Sequence, residues 1–581
     1  ERAAYERAIR DQAARDQVAR DQAMRDQVAA RDQASREQAS REQGFRDSET
    51  RELVVREQAE RDQYALDQLA RAQAVREQAA QDEAEETERA AGLRGTGTRP
   101  DGRPEGEAVR PRTRKRRFSR AAVFASVFVV VVVVVVSVIV ATRGSISTVL
   151  GPPAATGPRV DAASPVLGAM ADGAKMPTTS GIAAALAKPL RDSRLGPHVS
   201  VAVTDLSTGE LLYGHGENSP TVPASTMKLA TATAVLALRG PDYRITTQVV
   251  AGGHPGEVVL VGAGDPTLAA GPEPAYPEAG RLDVLADQVK RALGGVAPTK
   301  VIVDSSLFSG PVVAPGWNAD DLNGDYASRI YALTTDAGRI HPDNGAAGKR
   351  YVNSATAAGQ IFAKLLGLPN SAVSQGVAPA EPGIGADPTT PGAVLGSVQS
   401  APLQRIIDTM LSASDNVLAE FMARQVALAS GKPASFAGAA QAVTDELRKL
   451  GLPLAGVHIV DGSGLSRQDR LTPSLLTSLI SYDAQPAHTD LHAVFTGIPV
   501  AGWSGTLAGR FDTKATNGVA GTLRAKTGSL NGVSSLAGIL IDADGRTLAF
   551  AVMVDKIPGG ADAPKAIDTI GAALGACGCS S

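Results

Sequence analysis

The chain of 581 residues has few of the residues that mark several common classes of protein. Its two cysteines, Cys577 and Cys579, stand one residue apart, whereas a disulfide framework needs more cysteines at wider spacing. A bond across one residue is expected to be strained, so we expect two free thiols. Aromatic residues make up only 4%, which argues against stacking on nucleic-acid bases. The seven histidines show no metal-ligand spacing and no HExxH motif, so we expect neither a metal nor a cofactor.

The net charge of −3 is an average over unlike parts of the chain. Residues 1–90 repeat motifs such as RDQAARDQVARDQ, with an Arg at nearly every fifth position. A period of five matches neither a coiled coil nor an amphipathic helix, so no apolar stripe forms. The repeat does place an acid four residues before an Arg, an order that supports a helix by about 0.2–0.5 kcal/mol per pair. We interpret the segment as a charged helix or a disordered tail, and a partner-binding role and an inert extension both stay open.

A long uncharged segment, AAVFASVFVVVVVVVVSVIVAT, occupies residues 121–142. As a helix it spans about 33 Å, enough to cross the hydrocarbon core of a bilayer. The Gly- and Pro-rich residues 91–120 before it are expected to form a disordered linker, which ends in a cluster of Arg and Lys. Because positive charge favours the cytoplasmic side, we expect a single-pass membrane protein with a cytoplasmic N-terminus. A cleaved signal peptide is the alternative, but such peptides have a shorter apolar core and a shorter leader.

The remainder divides into a flexible linker, residues 143–180, and a globular portion, residues 181–576. The sequence HVSVAVTDLSTGELLYGH predicts two strands around a turn, and SSLAGILIDADGRTLAFAVMVDK predicts a hairpin around an Asp-Gly turn. The closing segment APKAIDTIGAALG predicts a helix. Strands at both ends with helices between them indicate an α+β fold, whose antiparallel sheet is made from the two ends of this portion.

The stretch PASTMKLATATAV, residues 223–235, places Ser225 and Lys228 three positions apart at the start of an apolar helix. That spacing puts both side chains on one face, so the Lys228 amine can reach the Ser225 hydroxyl. A serine is a weak nucleophile unless a nearby base takes its proton, and a buried lysine can be that base. The alternative is an ordinary helix start with a serine cap and a solvated lysine.

Two later stretches carry polar residues with a related use. Ser414-Asp415-Asn416 lies between two apolar periodic segments and is either a helix-capping cluster or a proton-relaying hydroxyl beside an amide. Lys526-Thr527-Gly528 ends the strand-like run TLRAK, and is either a strand followed by a Gly turn or a site for an anionic group. In the second reading Gly528 keeps the strand edge bare, so that a substrate can lie beside it.

In the order S-x-x-K, S-D-N, K-T-G, the three motifs resemble those of the penicillin-recognising serine hydrolases. The long gap between Ser225 and Ser414 is similar to that of the D-alanyl-D-alanine carboxypeptidase/endopeptidase family, peptidase family S13 or class C low-molecular-mass penicillin-binding proteins. Four further stretches resemble this family: GAGDPTL, PGWNADDL, DGSGLSRQDRLTP and VAGWSGTLAGRF. The resemblance implies a penicillin-binding/β-lactamase-like domain of residues 181–240 and 396–576, with inserted domains within 241–395.

The resemblance also implies a role for each motif residue. Ser225 is expected to attack the carbonyl between two D-alanines, or a D-amino-acid cross-link, of a peptidoglycan stem peptide, while Lys228 takes its proton. Ser414 and Lys526 are expected to pass a proton to the leaving amine, and Asn416 to orient the acyl portion. The remaining expectations concern binding: Thr527, with Lys526 and Ser529, holds the terminal carboxylate, and the backbone N–H groups of Ser225 and Ser529 form the oxyanion hole. β-Lactams are expected to acylate the same serine.

Five further residues are predicted to form a pocket for a side chain of the substrate. Asp320 is expected to hold a free amine and Arg467 a carboxylate, which a diaminopimelate side chain carries together at one end. The walls of that pocket are expected to be Trp317, Tyr326 and Leu530. A loop salt bridge or core packing is the alternative interpretation of each.

Two other functions stay open at this point. A β-lactamase on the same fold would need an additional base to fix a deacylating water, and the sequence has no clear E-x-x-L-N motif. A catalytically dead cell-wall scaffold, with the charged repeat as its working part, would have no need of both motif lysines. The membrane-anchored serine DD-peptidase therefore remains the main hypothesis.

Overall fold

The computed structural model describes residues 174–323, 326–342, 348–381 and 387–580. The charged repeat, the basic linker, the predicted membrane span at 121–142 and residues 143–173 lie outside the described residues, so the expectations for them stay predictions. Within the described ranges, every helix is too short or too polar to span a bilayer.

Strands and helices are interspersed along the described residues. The strands are β1 His198–Asp205, β2 Leu211–His215, β3 Thr246–Ala251, β4 Glu257–Val261, β5 Lys300–Asp304, β6 Val373–Gln375, β7 Val394–Gln399, β8 Arg524–Leu530, β9 Val533–Ile541 and β10 Thr547–Asp555. The helices are α1 Thr179–Leu186, α2 Met227–Arg239, α3 Leu282–Ala292, α4 Ala319–Asn323, α5 Ser354–Leu365, α6 Leu403–Ser412, α7 Asn416–Ala429, α8 Phe436–Lys449, α9 Pro473–Asp483, α10 Ala493–Gly497 and α11 Ala563–Gly575.

The first sheet joins the two ends of the globular portion in the order β2-β1-β10-β9-β8, with every neighbouring pair antiparallel. The predicted hairpin forms with Thr547 opposite Ile541, and the predicted closing helix is α11. The expected α+β fold with its antiparallel sheet is therefore confirmed. Strand β8 is the last strand of the sheet, and its outer side is bonded near its start, where the Ala525 amide donates to the Pro499 carbonyl at 2.9 Å. A further partner would pair with β8 beyond that point.

The second sheet has the order β6-β5-β4-β3-β7 and lies between the S-x-x-K and S-D-N motifs in the chain. Its β4–β5 and β5–β6 pairs are parallel, whereas β3 pairs antiparallel with both β4 and β7. A separate apolar core forms against helices α3 and α5. Strand β7 crosses the expected boundary at residue 395, while the division into a catalytic and an inserted domain itself stays a prediction.

Helix α2 is buried at every position from Met227 to Leu236 and packs against α7 within the largest apolar core. Its Ala-rich sequence has small side chains, which allows close approach by neighbouring helices on several sides. This packing fixes the start of α2, where Ser225 and Lys228 lie, relative to the start of α7, where Asn416 lies.

Two local expectations were wrong. Cys577 and Cys579 are joined in a disulfide, because the turn after α11 brings their Cα atoms to 5.0 Å, within the range that a disulfide spans. The K-T-G motif does not end its strand, because β8 continues through Gly528 to Leu530 and pairs with β9 along its whole length.

Candidate active site

Ser225 lies in a 3₁₀ turn, Ala224–Thr226, immediately before α2. The turn is held in place because the Thr226 and Ser535 hydroxyls each donate to the Pro223 carbonyl at 2.7 Å. Ala224 has a φ of 48°, a backbone conformation that residues other than glycine seldom adopt. The surrounding contacts therefore fix the backbone so that the Ser225 side chain faces a cleft.

Lys228 is fully buried beneath Ser225, and its Nζ meets three oxygen atoms. Nζ lies 2.8 Å from Ser225 Oγ, 2.6 Å from Asn416 Oδ1 and 2.9 Å from the Ser463 carbonyl oxygen. The predicted contact between the serine and the lysine is thus present. The chain also supplies two further acceptors, which hold the amine in one orientation.

Burial lowers the pKa of Lys228 to about 8, although the nearby negative charges of Asp461, Asp415 and Glu420 oppose that shift. A neutral amine has two N–H groups and one lone pair. Asn416 Oδ1 and the Ser463 carbonyl can accept both N–H groups, which directs the lone pair at the Ser225 hydroxyl. The site can therefore deprotonate a serine near neutral pH.

The second hydroxyl and the second lysine also meet in the site. Lys526 Nζ lies 2.9 Å from Ser414 Oγ and 2.9 Å from the Thr527 carbonyl oxygen. Burial, together with the charge of Lys228, lowers the pKa of Lys526 well below its usual value. Lys526 is therefore able to exchange a proton with Ser414 rather than holding a permanent charge.

The Ser414 loop is held by a buried ion pair. Ser414 has a φ of 57°, and Asp415 caps α7 by accepting from the Val417 and Leu418 amides at 2.9 and 3.1 Å. Asp415 Oδ2 also accepts from Arg339 Nη2 at 2.8 Å and from the Tyr276 hydroxyl at 3.0 Å. Burial raises the pKa of Asp415, but the charges of Arg339 and Arg350, together with hydrogen bonds, lower it by more, so the pKa lies below its usual value.

The residues 461–464, at the start of the stretch DGSGLSRQDRLTP, support Lys228 although the sequence predicted no function for them. The Ser463 amide donates to Glu420 Oε1 at 2.9 Å and to Asp461 Oδ1 at 3.1 Å. Asp461 Oδ1 also accepts from the Gly464 amide at 2.6 Å. Two buried carboxylates thereby orient the backbone around Ser463, whose carbonyl meets Lys228. Glu420 stands one turn after Asn416 on a mostly apolar helix, which is the signal that could have identified it.

Most predicted site residues line one cleft of about 1010 Å³. Ser225, Ser414, Asn416, Thr527 and Ser529 lie along it, as do Asp320, Tyr326, Arg467 and Leu530. Arg467 Nη1 donates to the Asn531 carbonyl at 2.9 Å, and Tyr326 is 67% exposed. The Asn416 amide Nδ2 donates to the Tyr326 carbonyl at 3.0 Å, so Asn416 links Lys228 to the rim of the cleft.

Two residues that were predicted to bind the substrate make contacts other than those expected. Trp317 lies behind the cleft, where Nε1 donates to Asp461 Oδ2 at 2.7 Å and the ring packs edge-on against Phe436. Gly528 faces the nucleophile turn, because a Cβ there would lie 2.1 Å from Ser535 Oγ and 2.7 Å from the Pro223 carbonyl oxygen. Its missing side chain lets the Ser225 turn sit on β8.

The described part of the chain has no cluster of three His, Cys, Asp or Glu side chains able to hold a metal ion. The groups suited to chemistry are the hydroxyls of Ser225 and Ser414 and the amines of Lys228 and Lys526. That set suits acyl transfer through a serine ester.

Comparison with known proteins places the chain among close relatives. The family described as D-Ala-D-Ala carboxypeptidase 3 (S13) matches residues 182–350 and 344–575. A carboxypeptidase of Mycobacterium tuberculosis is 44% identical over 418 residues, which cover 71% of this chain and 87% of the relative. Carboxypeptidase DacB of Mycolicibacterium smegmatis is 39% identical over 411 residues, which cover 70% of this chain and 86% of the relative.

A solved structure supports the same fold. The crystal structure of penicillin binding protein 4 from Haemophilus influenzae matches with a TM-score of 0.53 and 22% identity, over 68% of this chain and 98% of that chain. The described residues therefore have the penicillin-binding/β-lactamase-like fold, with an antiparallel sheet flanked by helices.

Proposed function

The chain belongs to the D-Ala-D-Ala carboxypeptidase 3 (S13) family and is a serine-type D-Ala-D-Ala carboxypeptidase, and from that premise we propose how and on what it acts. Its substrates are the stem peptides of peptidoglycan, and the reaction passes through an acyl-enzyme on Ser225. β-Lactams acylate the same serine. The penicillin-binding protein from Haemophilus influenzae supports the fold that this mechanism needs.

The orientation of Lys228 is the observation that carries the proposal. With its two N–H groups donated to Asn416 Oδ1 and the Ser463 carbonyl, the neutral amine accepts the Ser225 proton across 2.8 Å. Ser225 Oγ then bonds to the carbonyl carbon of the penultimate D-Ala. The backbone N–H groups of Ser225 and Ser529 stabilise the negative oxygen that develops on that carbonyl.

Collapse of the tetrahedral intermediate breaks the C–N bond to the terminal D-Ala. The leaving amine needs a proton, which Ser414 supplies, and the ammonium form of Lys526, 2.9 Å away, replaces the proton that Ser414 loses. Water then attacks the ester carbonyl, and its proton passes through Ser414 to the now neutral Lys526. Lys228 returns its proton to the Ser225 oxygen as the trimmed peptide leaves. The same sequence of steps cleaves a cross-link when the leaving amine belongs to a D-amino-acid centre of a second peptide.

Strand β8 provides the binding edge for the substrate. As the last strand of its sheet it has backbone groups free to pair with an extended peptide. The terminal carboxylate of the peptide is held by the hydroxyls of Thr527 and Ser529, both of which line the cleft. Lys526, buried next to Thr527, adds positive charge whenever it is protonated.

The lining of the cleft suits a side chain that carries both an amine and a carboxylate. Asp320 and Arg467 supply opposite charges to this lining, and Tyr326 and Leu530 supply apolar surface. A diaminopimelate side chain has one amine and one carboxylate on the same carbon, which fits that pairing. Trp317 contributes indirectly, by bonding to Asp461 behind the cleft.

The location of the enzyme is proposed from the sequence alone. The uncharged residues 121–142, preceded by a basic cluster, support a single membrane span with the N-terminus in the cytoplasm and the catalytic portion outside. Expression of the full chain and of a chain without residues 1–143, followed by separation of membranes from soluble material, tests this. Retention of the shortened chain in the membrane fraction would refute the anchor.

The decisive test of the mechanism is the intact mass of the full chain after mixing with benzylpenicillin. We expect a long-lived increase equal to the mass of the antibiotic, and no increase in Ser225→Ala. A peptide that ends in D-Ala-D-Ala should release D-Ala with the unaltered chain and not with the variant.

Two results would contradict the proposal in different ways. An adduct that forms and clears within seconds would favour a β-lactamase on the same fold. No adduct on protein that unfolds cooperatively would remove Ser225 as the nucleophile. A control with Ser371→Ala, an exposed serine in the segment between the first two motifs, should acylate at the unaltered rate.

A further inference from the structure

Thr506 faces Thr527 at one wall of the cleft. Their Oγ1 atoms lie 2.7 Å apart although the residues are 21 positions apart in the chain. Both residues line the cleft, Thr527 being only 8% exposed. Thr506 belongs to the stretch VAGWSGTLAGRF, which resembles the S13 family, and the sequence predicted no function for it.

The loop that carries Thr506 is firmly held. A 3₁₀ turn, Gly505–Leu507, contains it, and the side chain of Leu507 is fully buried. The Gly502 amide donates to the Leu507 carbonyl at 3.0 Å, and the Val500 amide donates to Ser504 Oγ at 3.0 Å. The Thr506 hydroxyl is therefore presented to Thr527 by a fixed scaffold rather than by a chance surface contact.

The loop also lies against the helix end that leads to Ser414. Gly505 has a φ of +54°, and a Cβ on it would lie 2.6 Å from the Ser412 carbonyl oxygen. Only a residue without a side chain allows this approach. Thr506 is thus placed between the end of α6 and strand β8, two elements that build the reactive centre.

When a substrate carboxylate is bound, only one direction is possible for the hydrogen bond between Thr506 and Thr527. A hydroxyl has one proton to donate, and an ionised carboxylate can only accept. Thr527 must therefore give its single proton to the carboxylate. The 2.7 Å bond can then persist only if Thr506 donates to Thr527.

Lys526 is not the donor to Thr527 Oγ1. Its Nζ is directed at Ser414 Oγ and at the Thr527 carbonyl, each at 2.9 Å. A donor on Thr527 Oγ1 polarises the Thr527 O–H group and strengthens the bond that this group makes to the carboxylate. The hydroxyl of Thr506 is placed to be that donor.

We propose that Thr506 is a positioning residue that directs the Thr527 hydroxyl proton at the substrate, and so favours substrates that end in a free carboxylate. The proposal rests on the proposed function, in which Thr527 binds the terminal carboxylate. In this proposal two hydroxyls, those of Thr506 and Thr527, determine the preference for a terminal carboxylate.

The test compares two variants of the full chain on two probes. Thr506→Val keeps the shape of the side chain and removes the donor, whereas Thr506→Ser keeps the donor. The first probe is Nα,Nε-diacetyl-L-Lys-D-Ala-D-Ala, which has a free carboxylate. The second is p-nitrophenyl acetate, a neutral activated ester, with the rate of Ser225→Ala subtracted.

We expect Thr506→Val to lower kcat/KM on the peptide by about three- to tenfold, chiefly through KM, because the carboxylate is bound throughout the reaction. Its rate on the neutral ester should stay within about twofold of the unaltered chain, since no carboxylate is bound there. Thr506→Ser should restore activity on the peptide.

Equal losses on both probes, or full peptide activity in Thr506→Val, would overturn the role of Thr506. Failure of the unaltered chain to release D-Ala from the peptide would overturn the proposed function, and this inference with it. The release of D-Ala from the peptide by the unaltered chain therefore distinguishes the two failures.

Discussion

Arg339 Nη2 lies 2.8 Å from Asp415 Oδ2, and both side chains are only 5% exposed. Arg339 lies between β5 and β6 of the second sheet in the chain, whereas Asp415 lies directly between Ser414 and Asn416. Tyr276, from the same long segment as Arg339, donates to the same carboxylate oxygen. The segment between the first two motifs therefore takes part in holding the reactive loop.

Replacing Arg339 by Met should destabilise the protein by about 3–5 kcal/mol, because Asp415 would be left buried without its cationic partner. Acylation by benzylpenicillin should slow as well, since the Ser414 loop loses its support. The checks are thermal unfolding, for the loss of stability, and the rate of adduct formation on the protein that remains folded.

Arg405→Met is the matched control for this change. Arg405 makes an ion pair with Glu278 in which both side chains are more than half exposed, so its loss should change stability by less than about 1 kcal/mol. Equal changes in the two variants would show that the buried pair contributes no more than a surface pair.

The rate of acylation should rise with pH through a midpoint of about 8, the pKa to which burial lowers Lys228. Below that pH the ammonium has no lone pair and cannot accept the Ser225 proton, so the rate should fall about tenfold per pH unit. Above it the amine is neutral and the rate should level off. A rate of benzylpenicillin acylation that does not change between about pH 6 and about pH 9 would remove Lys228 as the base.

Replacing Glu420 by Gln should move that midpoint to lower pH. Burial raises the pKa of Glu420 to about 7, so its carboxylate is mostly ionised at pH 8 and favours the charged form of Lys228. Without this negative charge the ammonium is less stable, and Lys228 loses its proton more readily. The pH dependence of the acylation rate gives the midpoint.

Glu446→Gln serves as the control, because Glu446 is paired with the exposed Lys449 on α8. Its midpoint should equal that of the unaltered chain. If both variants shift equally, or neither does, the electrostatic link between Glu420 and Lys228 is wrong.

Replacing Gly528 by Ala should displace the nucleophile turn, because a Cβ would come within 2.7 Å of the Pro223 carbonyl oxygen. We expect a loss of stability of about 1–3 kcal/mol from overpacking, and acylation at least about tenfold slower. Gly518→Ala, at a glycine with no atom within 4 Å of the added Cβ, should leave both quantities nearly unchanged. Thermal unfolding and adduct formation measure the two effects, and unaltered acylation in Gly528→Ala would contradict the close contact.

The parts of the site that could be predicted are those in which chemistry sets the spacing of neighbouring residues. Ser225 and Lys228 meet because three positions along a helical start bring side chains onto one face. The hairpin of β9 and β10 was predictable because two long apolar runs flank an Asp-Gly turn. These are local rules, and the structure agrees with them.

The parts that could not be predicted depend on contacts between distant segments. The Ser463 carbonyl looks like any other backbone group in the sequence, yet it meets Lys228 across 235 positions of the chain. Trp317 was expected to line the cleft because of its neighbours in sequence, but its indole N–H bonds to Asp461. Gly528 was expected to leave room for a substrate beside the strand. In the structure, its missing side chain leaves room for Pro223 and Ser535.

The sheet that unites the two ends of the globular portion has a consequence for the biosynthesis of the enzyme. Asp205 in β1 and Arg546 beside β10 form an ion pair although they are 341 residues apart in the chain. Strands β8, β9 and β10 are synthesised about 300 residues after Ser225, and without them the Ser225 turn has neither Ser535 nor β8 beside it. Pairing at such long range is slow to form, and a growing or prematurely ended chain has no Lys526 to complete the reactive centre. The enzyme should therefore become active only after strands β8, β9 and β10 have been synthesised, and a shorter nascent chain that carries Ser225 and Lys228 should not bind penicillin.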